Sequence, residues 1–140
     1  MQEADTDAEW STNVRESVWK KFYFISVTAS LTSYFDVNIN ELSETEERRN
    51  FAMEFSREFL SVAQKEGIYF DENAVEDVVK RSQILPAGTT TSMHSDFRQG
   101  DNIEVETITG EIVHLAHKHK LKVPLYEKVY KELKKKSESQ

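Results

Sequence analysis

Cysteine is absent from the 140 residues, which rules out a disulfide framework or a thiolate metal site. Proline occurs twice and glycine four times, so these residues punctuate long regular elements rather than build a turn-rich chain. No long hydrophobic run is present. The most apolar stretch, Phe22 to Leu31, is interrupted by Ser26, Thr28 and Ser30 and is too short to span a bilayer. Met1-Gln2-Glu3-Ala4-Asp5 is acidic where a secretory signal is basic and then apolar. A cytoplasmic protein with no membrane partner is therefore expected. Positive charge is outnumbered: 25 acidic against 18 basic residues leave a net charge of −7, which argues against the basic face a nucleic-acid partner requires. The one basic run, Lys134-Lys135-Lys136, closes a helical pattern, where cations complement the dipole. Gly-x-Gly-x-x-Gly, Gly-x-x-x-x-Gly-Lys and Gly-x-Ser-x-Gly are all missing, so the chain shows no means of its own for binding a dinucleotide.

What is present reads as one soluble globular domain, with 38% hydrophobic and 31% charged residues. The spacing predicts a first helix from about Asn13 to Phe35, with Val14, Val18, Phe22 and Ile25 near one face. A second follows Ser43-Glu44-Thr45-Glu46, a capping-box sequence. Its stripe is Phe51, Phe55, Phe59 and Val62, and Gly67 stops it. A third starts near Asp71 as N-cap, carries Val75, Val78, Val79 and Ile84, and ends before Pro86. After the loop Pro86 to Thr91 comes a short helix, about Ser92 to Arg98, stopped by Gly100. Another runs from about Ile103 to His119 through Val105, Ile108, Ile112, Leu115 and Ala116, with Asn102 as a turn or cap residue. The last begins at Pro124 and shows Leu125, Val129 and Leu133. The class is all-α, a single domain over residues 1–140.

Polar residues cluster at the entrance of the fourth and fifth patterns: Ser92-Met93-x-x-Asp96, Gly100, Glu104, Glu106 and Gly110, with Pro124 and Tyr130 beyond. A helix that only buries one face has no need of them, whereas a site for a small polar ligand does. Their order resembles the C-terminal domain of ketopantoate reductases (2-dehydropantoate 2-reductases). Val18-Trp19-Lys20-Lys21-Phe22 looks like that domain's opening Trp-x-Lys motif, and Glu41-Leu42 like its acidic-leucine pair. Ser92-Met93-His94-Ser95-Asp96 is similar to its Ser-Met-x-x-Asp, and Gly100 followed by Glu104 to its Gly-x-x-x-Glu. Pro124 to Tyr130 resembles its closing Pro-x-Asn-x-x-Leu-Tyr. The similarity runs from about Trp10 to Leu133.

The resemblance implies a multi-helical bundle of the 6-phosphogluconate dehydrogenase C-terminal-like kind. It also implies the substrate-binding and dimerising half of an NADPH-dependent oxidoreductase that turns a 2-keto acid such as ketopantoate into pantoate for pantothenate biosynthesis. NADP would be bound mainly by an N-terminal dinucleotide-binding domain that the 140 residues do not contain. Lys21 would correspond to the catalytic lysine, Glu104 to the active-site glutamate and Ser92 to a serine holding the substrate carboxylate. The residue types suit the chemistry, because an alkoxide forming at a reduced ketone needs a proton and an ammonium supplies one. Ile25, Ala29 and Ile39 stand where the family often has asparagine, so the substrate is expected to differ more than the reaction class.

Each candidate also has a plain structural reading. Lys21 could snorkel from an amphipathic helix. Ser92 and Asp96 could cap and charge a short one, and Glu104 could serve the dipole of a first turn. Trp10, Trp19 and the eight phenylalanines read as core or interface. Glu111-x-x-His114 has di-metal carboxylate spacing but lacks a second copy, so a solvated polar face is expected and no metal. A non-catalytic dimerisation or binding module derived from the family is the alternative. The Phe-rich second helix and the Phe22–Leu31 stretch carry much apolar surface, and a homodimer is expected on that ground.

Overall fold

The structure, a computed structural model, describes residues 2–99 and 104–138, the first of these, 2–12, by backbone alone. The stop assigned to Gly100, the turn role of Asn102 and the side chain of Trp10 lie outside the described residues. The helices are α1 (Gln2–Phe35), α2 (Glu46–Lys65), α3 (Ala74–Ile84), α4 (Ser92–Gln99), α5 (Glu111–Lys118) and α6 (Pro124–Glu138). A 3-10 turn, Ile39–Ser43, links α1 to α2, and a π-turn, Glu106–Gly110, runs straight into α5. No strand occurs among the described residues, so the chain is all-α as expected.

The core forms where α2 and α6 close on α1. Phe55, Phe59 and Val62 from α2 meet Val27 and Leu31 from α1 and Tyr126, Val129 and Leu133 from α6, all fully buried. Phe55 stacks on Tyr126 with ring centroids 3.8 Å apart, and burying such rings is worth about 2–3 kcal/mol each. The start of α6 is fixed from outside: the half-buried Glu58 carboxylate on α2 accepts from the Leu125 and Tyr126 N–H groups at 3.0 and 2.9 Å. Those are first-turn donors that helix geometry leaves unpaired. Burial pushes the Glu58 carboxyl up against the pull of these two bonds. Gly67 ends α2 at φ +85°. There the Ile68 N–H reaches the Ala63 carbonyl and the Gly67 N–H the Gln64 carbonyl, the double bond pattern of a left-handed helix stop.

Several expectations change in detail. Helix α1 starts earlier than Asn13 and faces the other way: Val14, Val18 and Ile25 are 44%, 58% and 49% exposed. Its inward side carries Tyr23, Val27 and Leu31 together with Ser26 and Ser30, and towards its C-terminal end the helix is buried all round, Thr28 and Thr32 included. Hydroxyls short enough to bond within the helix or across it cost little to bury, so the apolar stripe was free to turn outward. The cap of α2 is Thr45, not Ser43: its Oγ1 accepts from the Arg48 N–H at 3.1 Å. Because residue 48 is arginine, no reciprocal glutamate completes a box. Helix α3 begins at Ala74 after Asp71 closes a turn on the Asn73 N–H at 3.0 Å. Its buried line is Ala74, Val78 and Ser82, while Ile84 is 80% exposed. On α6, Tyr126 takes the buried place expected of Leu125.

Candidate functional site

Helix α1 is the rod from which every candidate residue hangs. Its inward hydroxyls make the attachments. Ser26 Oγ donates to the Ile108 carbonyl at 2.8 Å and lies 2.9 Å from the Tyr126 hydroxyl. A serine has one proton, already committed to a carbonyl that can only accept, so Tyr126 donates to Ser26. Burial holds the Tyr126 phenol well above its ordinary value, which keeps that proton in place. One turn on, Ser30 meets Thr109 at 2.6 Å. Further along, the Thr32 hydroxyl donates to the Thr28 carbonyl at 2.7 Å, so Thr91, 2.8 Å away, donates to Thr32. Thr91 in turn accepts the His94 N–H at 3.2 Å and so caps α4.

These seams place the predicted residues. Lys21 is on α1 itself. Glu104 lies one turn before Ile108 and accepts its N–H through the backbone carbonyl at 3.0 Å. Ser92 follows Thr91 at the first position of α4. Lys21 and Thr32 share a face of α1, being about three turns and 16 Å apart along its axis. The structure therefore brings Ser92 to the side of the helix that carries Lys21, but not into contact with it. All three side chains are exposed, and among the described residues no hydrogen bond or ion pair joins any two of them.

Lys21 stands in unusual company. Val14, Val18 and Ile25 form an exposed apolar stripe at helical spacing, and Lys21 sits within it. An open hollow of about 420 Å³ is lined there by Asn13, Val14, Ser17, Val18 and Lys21. Trp19 packs against Phe22 and Phe59 at centroid distances of 6.1 and 5.7 Å, so within the Trp-x-Lys motif the tryptophan supports the core and the lysine points away from it. Of the three positions where asparagine was expected, Ile25 lies on the exposed stripe and Ala29 and Ile39 are buried. Leu42 is buried, and the Glu41 carboxylate accepts from the Asn38 N–H at 2.9 Å.

Two further clusters involve contacts that the sequence did not indicate. Asp36 ends α1 in the left-handed region at φ +56°, a conformation costly for a non-glycine residue unless its surroundings hold it. The buried His94 does so, donating from Nε2 to Asp36 Oδ1 at 2.6 Å, with Arg98 Nε at 3.3 Å. His94 Nδ1 meets the Thr90 hydroxyl at 2.6 Å. The His94 hydrogen bond above all, helped by Arg98, holds the Asp36 carboxyl below its ordinary range against the opposing effect of burial. The second cluster surrounds the π-turn. Tyr130 donates its hydroxyl to Glu106, whose two oxygens both lie at 2.7 Å, and that bond pushes the phenol up to about 12. A Cβ on Gly110 would stand 2.9 Å from Tyr130 Cε1 and 3.0 Å from Glu106 Oε2, so the glycine is what lets ring and carboxylate meet over the turn. His114 lies edge-on to the Tyr130 ring, 5.9 Å between centroids, on the solvent side.

The signal for the α1 seams was in the sequence: Ser26 and Ser30, and Thr28 and Thr32, repeat every fourth residue inside the most apolar segment. Residues at that spacing share a helix face, and such a face buries hydroxyls rather than exposing them. Glu106, Gly110 and Tyr130 stand in the polar stretch already singled out, but that Tyr130 folds back over the turn, and that His94 meets Asp36, are contacts between distant residues that spacing does not reveal.

Comparison with known proteins gives these features a setting. Residues 13–137 match the family model described as "Ketopantoate reductase PanE/ApbA C terminal". An uncharacterized oxidoreductase of Bacillus subtilis, YkpB, is 27% identical over 123 residues, covering 88% of this chain and 41% of that protein. A 2-dehydropantoate 2-reductase of Streptococcus pyogenes is 27% identical over 113 residues, covering 80% of this chain and 37% of that enzyme. Among solved structures, the dimeric ketopantoate reductase of Staphylococcus aureus superposes with a TM-score of 0.84 at 25% identity, covering 90% of this chain and 44% of that one. The chain thus spans about two fifths of the curated relatives it matches.

Proposed function

The chain belongs to the family of ketopantoate reductase C-terminal domains, and from that membership we propose that it is the substrate-holding half of an NADPH-dependent reductase of a small 2-keto acid. The observation that carries the reading is the setting of Lys21: an ammonium on an exposed apolar stripe, beside an open hollow, with no carboxylate paired to it among the described residues. An ammonium so placed is available to a substrate oxygen once a second surface closes over the stripe and excludes water, which strengthens its electrostatic effect.

In this reading Lys21 stabilises negative charge developing on the oxygen of the reduced carbonyl and donates a proton to it. Ser92, at the start of α4 beside backbone N–H groups that helix geometry leaves unpaired, receives the substrate carboxylate. Glu104 orients the lysine or accepts from a substrate hydroxyl. The described residues, all helix and connecting turn, offer no strand–turn–helix cradle for a pyrophosphate. NADP is therefore held by a separate dinucleotide-binding domain. Ile25, one turn beyond Lys21 on the same stripe, favours a keto acid with an apolar tail over a heavily hydroxylated one. The protein works as a cytoplasmic homodimer, in keeping with the dimeric Staphylococcus aureus relative.

The test is reconstitution. Joined to a dinucleotide-binding domain of this family, or supplied with one in trans, the chain should support NADPH oxidation dependent on a 2-keto acid. By itself it should neither turn over nor bind NADPH measurably. Failure to turn over any 2-keto acid in the joined form would leave the dimerisation-module reading standing, and saturable NADPH binding to the chain alone would remove the need for a second domain.

A further inference from the structure

The homodimer reading leaves open which face pairs. The rings first credited with that role are not available for it: Phe55 and Phe59 are fully buried within the chain's own core. Apart from the stripe beside Lys21, the large apolar side chains left exposed among the described residues are Tyr69, at 66%, and Ile84. Ile84 lines a groove of about 370 Å³ between α1 and α3, with Tyr23, Phe70, Ala74 and Val78 on its apolar part and Lys20, Asp71, Asp77, Lys80 and Arg81 along its charged margin. A mostly apolar groove with a large aliphatic side chain projecting at one end is an incomplete contact.

The charge order along α3 says what completes it. The helix reads Asp77, then Lys80 and Arg81, then Ile84: acidic, basic, apolar. A twofold axis crossing an antiparallel pair of these helices near residue 79 sets Asp77 opposite the other copy's Arg81, and Arg81 opposite its Asp77. The same operation brings Ile84 against the other copy's Ala74, at the Phe70 end of the groove, about 15 Å along the helix from its own Ile84. A twofold interface has to be complementary to itself, and the Asp77–Arg81 and Ile84–Ala74 pairs meet that condition. Arg81 is already held in place, its guanidinium 3.8 Å above the Phe24 ring, so little freedom is lost when it meets a carboxylate.

We propose that two copies of this chain pair through antiparallel α3 helices, each inserting Ile84 into the other's α1–α3 groove, with Asp77–Arg81 ion pairs on either side of the axis. The proposal rests on the homodimer reading above. It also fits the proposed site, because Tyr23 leaves α1 about 160° round from Lys21. The pairing face and the Lys21 face are therefore separate, and one can be covered while the other stays open.

Sedimentation equilibrium and light scattering on the full chain provide the test. The unsubstituted chain dimerises. Ile84→Glu weakens the dimer by about 100-fold or more, as expected for a central apolar anchor lost from both halves. Asp77→Lys and Arg81→Glu each give monomers alone, since both place like charges across the axis, but a mixture of the two forms a heterodimer. That recovery also shows that both variants are folded. Val18→Glu, on the Lys21 stripe, leaves the dimer intact. A chain that is monomeric at every concentration overturns the homodimer reading and this interface with it. A dimer that survives Ile84→Glu, that is lost in Val18→Glu, or whose two charge variants do not recombine overturns the interface alone.

Discussion

Replacing Ser26 by alanine removes one hydroxyl and strands two partners. Its proton goes to the Ile108 carbonyl at 2.8 Å, and its oxygen receives the Tyr126 proton at 2.9 Å. Tyr126 is fully buried, with its ring pressed on Phe55, so the phenol cannot turn to water. A buried polar group left without a partner costs about 1–3 kcal/mol. Two such groups place Ser26→Ala near 2–4 kcal/mol once some relaxation is allowed. Tyr126→Phe is milder: it removes a donor and keeps the stacked ring, and Ser26 retains its own acceptor. Its cost is about 1 kcal/mol, the net worth of one hydrogen bond.

The double variant separates this reasoning from simple loss of contact. Without the phenol, Ser26→Ala strands only the Ile108 carbonyl, so the pair should cost about 1–2 kcal/mol less than the sum of the singles. Urea denaturation followed by circular dichroism gives all four free energies. Thermal midpoints should fall in the same order, by roughly 3–5 °C per kcal/mol for a chain of this size. Additivity of the two changes to within about 0.5 kcal/mol would refute the proton assignment. The stakes reach the site, because this seam is what holds the backbone just after Glu104 against the helix that carries Lys21.

Gly110→Ala should push the Tyr130 ring off Glu106, and the phenol titration, isolated by difference against Tyr130→Phe, should fall from about 12 towards its ordinary 10.0; no movement would mean the ring accommodates a methyl without losing its bond. Asp36 and Glu66 both have lowered carboxyl values, each held down first by a histidine, His94 and His119. A depressed carboxyl contributes stability present above its unfolded value and lost as pH falls through the folded one. Denaturation midpoints should therefore drop below about pH 4, and Asp36→Asn should flatten that slope; an unchanged slope would place the acid sensitivity elsewhere. In the reconstituted enzyme Lys21→Ala should lower kcat by about 10²–10⁴-fold with little change in KM, whereas Ser92→Ala should act chiefly on KM and Glu104→Gln on both. Lys20→Ala, one residue round the helix, is the comparison: steady-state kinetics in which Lys20 and Lys21 replacements behave alike would remove Lys21 from the role of acid.

Helices α2 and α6 were legible because their buried faces are apolar and their ends carry Thr45, Gly67 and Pro124, residues whose local preferences agree with the fold. Helix α1 misled for a physical reason. Hydrophobic periodicity assumes that apolar residues face inward, and here Val14, Val18 and Ile25 face out while Ser26 and Ser30 face in. Such an inversion is expected where a surface waits for a partner. The π-turn could not be read at all, since it depends on Ser26, Ser30 and Tyr130 gripping residues 106–110 from distant parts of the chain. Lys21, Ser92 and Glu104 were chosen through a family resemblance, not through periodicity, and the fold alone would not have singled out Ser92 or Glu104 among exposed polar residues.

The π-turn has a consequence for how this segment tolerates changes in length. It holds one residue more than an α-helix needs for the same rise. Deleting a residue between Glu106 and Gly110 would therefore heal the helix instead of breaking it. Everything downstream would keep its packing, and everything upstream would rotate by about 100°, carrying the Glu104 side chain away from its present heading. A deletion that improves local helical regularity would then misdirect the glutamate. The irregular turn acts as an indexing step, setting the angle at which Glu104 is presented independently of how tightly α5 is packed.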